Sequence, residues 1–85
     1  MEPEEIKQLI EAGLPGAEVT VRGDGSHFEA VVVSGQFEGK SMVQEQQMVY
    51  ATLGDRITSG EIHALSIKAY TPQEWETARK LQVSS

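Results

Sequence analysis

Two short stretches of apolar–polar alternation flank a four-residue turn, and this pattern restricts the fold more than any other feature. Ala17, Val19 and Val21 alternate with Glu18, Thr20 and Arg22. Gly23-Asp24-Gly25-Ser26 follows as a dense turn signal, and Phe28, Ala30 and Val32 then recur at period two against Val31 and Val33. The pattern predicts strands over 17–22 and 27–34, joined as an antiparallel hairpin. A lone hairpin has too little cover to be stable in water, so its apolar face must be closed by other segments.

The rest of the chain supplies that cover. Ile6, Leu9 and Ile10 fall at helical spacing, with Leu14 just beyond, and predict a helix over 3–13. Pro3 suits its first turn, and Gly13 with Pro15-Gly16 stops it. Residues 34–40 read as an irregular connection. Ser41 with Gln44 three residues later is a capping-box pattern opening a second helix. Its inward stripe is expected to be Val43, Tyr50, Leu53 and Ile57, with Gly54 breaking it in two and Ser59-Gly60 ending it. Residues 62–70 predict a third strand, because Leu65, Ile67 and Ala69 alternate with Ser66, Lys68 and Tyr70. Thr71-Pro72-Gln73-Glu74 combines a cap, a proline and an acid at the third helical position, and starts a last helix through Trp75, Ala78 and Leu81. The order is α-β-β-α(α)-β-α. The expected fold is α+β: one domain over 1–85, with a three-stranded mixed sheet and helices on one face.

Composition narrows the chemistry. The 85 residues include no cysteine, so disulfides, thiol nucleophiles and thiolate ligands are all excluded within the chain. The net charge of −6 disfavours a uniformly basic nucleic-acid surface, although seven Lys and Arg residues suffice for a local patch. No apolar run approaches the length of a membrane span. The acidic start, Met1-Glu2-Pro3-Glu4-Glu5, lacks the basic-then-apolar pattern of a secretory signal, so the cytoplasm is the default expectation.

The two histidines, His27 and His63, each stand where a strand is predicted to begin. A helical crossover joins the second strand to the third, and such connections normally make the joined strands parallel. Adjacent parallel strands start at the same sheet edge, which would bring both histidines to one end of the molecule. Imidazole is the common nitrogen ligand for iron and replaces cysteine at some cluster irons. With no thiolate of its own, the chain must use histidine for any soft-metal chemistry or borrow thiolates from a partner. The plain structural alternative makes His27 a turn-flanking polar residue and His63 a hydrogen-bonded strand starter.

Several segments together resemble the BolA family: Gly25-Ser26-His27-Phe28, Val33-Ser34 through Phe37-Glu38-Gly39, Gln46 to Tyr50, and Ile62 to Trp75. The last is the most specific, a histidine entering a strand that ends in Thr-Pro-x-Glu-Trp. The short Gly-Asp-Gly-Ser-His-Phe turn looks like the YrbA/IbaG branch of that family. The resemblance implies a fold like the class II KH domain. It implies partnership with a monothiol glutaredoxin around a shared [2Fe-2S] cluster that includes glutathione. It also implies ligand roles for His63, the firmer position, and His27, whose counterpart varies with loop length.

A second line of family behaviour is DNA binding and transcriptional control. Here Lys40, Arg56, Lys68, Arg79 and Lys80 would be the contacting cations. The helix opening Ser41-Met42-Val43-Gln44-Glu45 lacks the expected basic residues, and Glu45 repels phosphate. Gly35-Gln-Phe-Glu-Gly39 is one residue too long for the KH backbone clamp. Tyr70 and Trp75 read as packing residues rather than base-stacking ones. No catalytic arrangement is expected. Ser26 and His27 are sequence neighbours on a strand and point to opposite faces, and Asp24 reads as a turn former.

Overall fold

The computed structural model describes residues 2–23, 27–57, 59–60, 62 and 64–83, the last two as backbone only. His63 lies outside the described residues, as does the turn 24–26 with Asp24 and Ser26. The elements are α1 (Pro3–Gly13), β1 (Glu18–Gly23), β2 (His27–Val33), α2 (Met42–Leu53), β3 (Ala64–Tyr70) and α3 (Pro72–Val83). Single 3₁₀ turns, Gly35–Phe37 and Gly54–Arg56, precede and follow α2.

The sheet order is β1-β2-β3. β1 runs antiparallel to β2, with Glu18 opposite Val33 and Gly23 opposite Phe28. β2 runs parallel to β3, with His27 opposite Ala64 and Val33 opposite Tyr70. The crossover containing α2 therefore makes the parallel pair expected from the sequence. Period-two alternation sends Val19, Phe28, Ala30 and Val32 to one face, where they are buried, with Leu65 and Ile67 partly buried beside them. α1 closes this face with Ile6, Ile10 and Leu14, and α2 with Val49 and Leu53. The other face carries Thr20, Arg22, Glu29, Val31, Lys68 and Tyr70 and is largely open.

The caps form as their residue types dictate. Glu2 N–H donates to Glu5 at 3.2 Å ahead of α1. Ser41 and Gln44 exchange bonds of 2.8 and 3.2 Å at α2. Thr71 and Glu74 do the same at α3, at 2.8 and 3.2 Å. Gly54, with φ of +59°, ends α2 in a conformation that costs a glycine little.

Two expectations need correction. The inward stripe of α2 is not Val43 and Tyr50, which are 65% and 39% exposed, but Val49 and Leu53, with Met48 and Ile57 partly buried. The stripe continues one turn back to Gln46, whose side chain donates to the Ile67 carbonyl of β3 at 3.0 Å. A polar residue thus occupies an inward position because the sheet edge needs a donor there, and a search for apolar spacing passes over it. α3 runs through Leu81 as expected, with Leu81 68% exposed. The connection after β2 is not merely irregular. Ser34 is buried, accepts from Gln36 N–H at 3.1 Å and donates its own N–H to the Tyr70 carbonyl at 3.0 Å. This fixes a 3₁₀ turn that drives Phe37 into the core at 1% exposure.

Candidate functional site at the strand-start rim

The site is built on the end of the sheet where β2 and β3 begin together. His27 opens β2 and is exposed. Its register partner, Ala64, opens β3 and is the sequence neighbour of His63. Adjacent strands run about 4.8 Å apart, so the two strand origins are immediate neighbours. By alternation His27 belongs to the open face, with Glu29 two residues along. Arg22, Gly23, Phe28 and Ser66 join them around a shallow depression. Arg22 reaches across β1–β2 to Glu29 at 3.1 Å, an exposed pair worth about 0–1 kcal/mol.

Gly23 is a close approach at this rim. A Cβ there would meet the His27 carbonyl oxygen and would lie 2.6 Å from Phe28 Cδ1. The missing side chain is therefore what lets the hairpin close over Phe28 while His27 stands at the edge.

No group of three or more His, Asp or Glu converges on a possible metal position among the described residues. A cluster requires four ligands, and this chain brings two imidazoles at most and no thiolate. The donor set fits a shared cluster and does not fit a resident one. His27 meets the requirement of accessibility, because its ring is on the surface and not among the core residues.

The five candidate nucleic-acid cations are spread over separate elements. Lys40 stands in the turn before α2, whereas Arg56 follows α2 and lies beside Glu5 and Gln8 of α1, 3.9 Å from Asp55. Lys68 is on the open sheet face, in a groove walled by Tyr70 and Trp75, whose ring centroids are 5.3 Å apart. Arg79 and Lys80 ride on α3, with Arg79 held by Glu76 at 3.1 Å. The Gly35-to-Gly39 segment is taken up by the buried Phe37. What sequence reading missed is the groove itself. Its residues come from all three strands and α3, and only the register unites them.

Glu45, in the first turn of α2, lies near Glu74 of α3. Burial, together with the charge of Glu74, raises the Glu45 carboxyl above its ordinary value. A carboxyl raised in the folded state stabilises fully below its unfolded value, and that contribution is lost as pH rises through the folded value. Glu45→Gln is therefore expected to melt above the native chain near neutrality. The gap should close through the carboxylate range in acid, as thermal melts across pH will show.

An α+β scaffold with this strand order, three capped helices and a polar rim defines a small BolA-like domain. The sequence profile described as BolA-like protein matches residues 11–74, and the chain belongs to that family. It is 49% identical over 81 residues to the acid stress protein IbaG of Escherichia coli (strain K12), covering 95% of this chain and 96% of the relative. The solved structure of a bolA protein homologue from Coxiella burnetii matches with a TM-score of 0.81 at 47% identity, over 89% of this chain and 97% of that one. Yeast Fra2 matches with a TM-score of 0.72 at 31% identity, over 96% and 91%. No helix among the described residues is long and apolar enough to cross a membrane.

Proposed function

We propose that this chain is a partner of a monothiol glutaredoxin and contributes histidine ligation to a [2Fe-2S] cluster shared with glutaredoxin and glutathione, in iron–sulfur trafficking or iron and stress regulation. The observation that carries the reading is the parallel pairing that sets His27 beside Ala64, the residue directly after His63. Family membership supports it, and so does a donor set of imidazole without thiolate. His63 is the firmer ligand and His27 the weaker. The role is non-catalytic: the chain binds, orients and donates nitrogen. Dispersal of the cations over separate elements gives the DNA-binding alternative no comparable support.

The test is titration with a cluster-loaded monothiol glutaredoxin, followed by visible absorption and circular dichroism. The native chain is expected to change both spectra. His63→Ala should weaken the cluster-bridged complex about tenfold or more, equivalent to about 1.4 kcal/mol. His27→Ala should weaken it less, and both variants should keep their melting temperatures. A His63→Ala complex with native spectra and affinity would remove the ligand role.

A further inference from the structure

We infer that β1 is a self-complementary edge through which two copies of this chain pair antiparallel, joining their sheets into one of six strands. β1 is a terminal strand of the sheet. At the opposite edge, β3 has its Ile67 carbonyl occupied by Gln46. β1 has no comparable cover among the described residues, and an open strand edge is a template for another strand.

The sequence of β1 specifies which strand. Glu18-Val19-Thr20-Val21-Arg22 reads as its own complement about Thr20. When two copies pair antiparallel on a two-fold axis at Thr20, Thr20 faces its own counterpart and Val19 faces Val21. Glu18 of each copy then faces Arg22 of the other. A two-fold interface requires such reciprocity, with residue i meeting j and j meeting i. The faces also agree. Glu18, Thr20 and Arg22 lie on the open face, and Val19 and Val21 on the face covered by α1, so pairing in this register keeps apolar beside apolar. Glu18, Thr20 and Arg22 are exposed, so no core side chain must move. Arg22 is 80% exposed and holds only one oxygen of Glu29, which leaves its other guanidinium donors for the incoming Glu18. Opposite charges placed directly across strands attract and like charges repel, which makes the register selective.

The test is sedimentation of the full chain from about 10 µM to about 1 mM, the affinity range of small transient interfaces. The native chain is expected to move from monomer to dimer. E18R places arginine against arginine at both symmetric contacts and should weaken the dimer about tenfold or more. The double variant E18R/R22E restores opposite charges across the axis and should recover association, although it gives up the Arg22–Glu29 pair. A cysteine experiment reads the register without charge changes. Paired Cα atoms across antiparallel strands are about 4.5–5.5 Å apart, within disulfide reach. In a chain with no other cysteine, T20C should cross-link to a dimer under mild oxidation. E18C, whose counterpart would lie about 13 Å away along the strand, should not. Melts confirm that each variant is folded. A native chain that stays monomeric at the highest concentration overturns the inference. So do association unchanged in E18R, failure of the double variant to recover, or equal cross-linking of T20C and E18C.

Discussion

Phe37→Ala is expected to lose about 3–5 kcal/mol of folding stability, the range for removing a buried aromatic side chain. The ring is 1% exposed and packs in the core cluster with residues from α1, α2 and the sheet. It is delivered there by a 3₁₀ turn that Ser34 pins to the end of β3. Its removal leaves a void where the crossover begins, which the rigid strand end cannot close. Small domains have on the order of 5–15 kcal/mol in total, so the variant should approach the folding threshold. Its melting temperature should fall by about 15–30 °C. Urea denaturation will measure the change. A loss below about 1 kcal/mol, the scale of an ordinary surface change, would contradict the place of Phe37 in the core.

Gly23→Ala is expected to cost about 1–3 kcal/mol, and to weaken the glutaredoxin complex in the fraction that stays folded. The added methyl meets the His27 carbonyl oxygen, and Phe28 Cα at 3.0 Å. Neither is the free end of a flexible side chain, so the strands must part at the rim, and the backbone that presents His27 moves with them. Gly35→Ala is the matched control. Its Cβ meets nothing within 4 Å, and the change should stay within about 0.5 kcal/mol. Thermal melts of the pair, with the cluster titration on both, separate the two effects. Equal stability in the two variants would show that the rim has room to spare.

These two residues also mark where sequence reading stopped. The strands, their antiparallel and parallel pairing, the caps of α2 and α3 and the α1 stripe follow from period and capping chemistry, because each is local or set by one connection. Phe37 was not legible as a core residue. Its burial depends on Ser34 bonding to Tyr70, a contact between segments far apart in the chain. Gly23 read as turn punctuation, whereas its position is dictated by the opposing strand. The α2 stripe misled for a related reason: Gln46 faces inward to serve a sheet edge, so apolar spacing alone selected Val43 and Tyr50 on the wet side. The rim was legible in part. Topology foretold that β2 and β3 start together, and the His27–Ala64 register bears this out. The open-face groove was not legible, since it requires the register of all three strands at once.

The central claim, that an imidazole of this chain binds iron brought by another protein, is met most directly by electron–nuclear double resonance. The chain is labelled isotopically in its histidines and combined with unlabelled cluster-loaded monothiol glutaredoxin and glutathione, and the cluster is reduced. The expected spectrum carries a nitrogen coupling from the labelled chain, diminished or lost in His63→Ala. Identical spectra from labelled and unlabelled chains, in a complex that demonstrably forms, would contradict it.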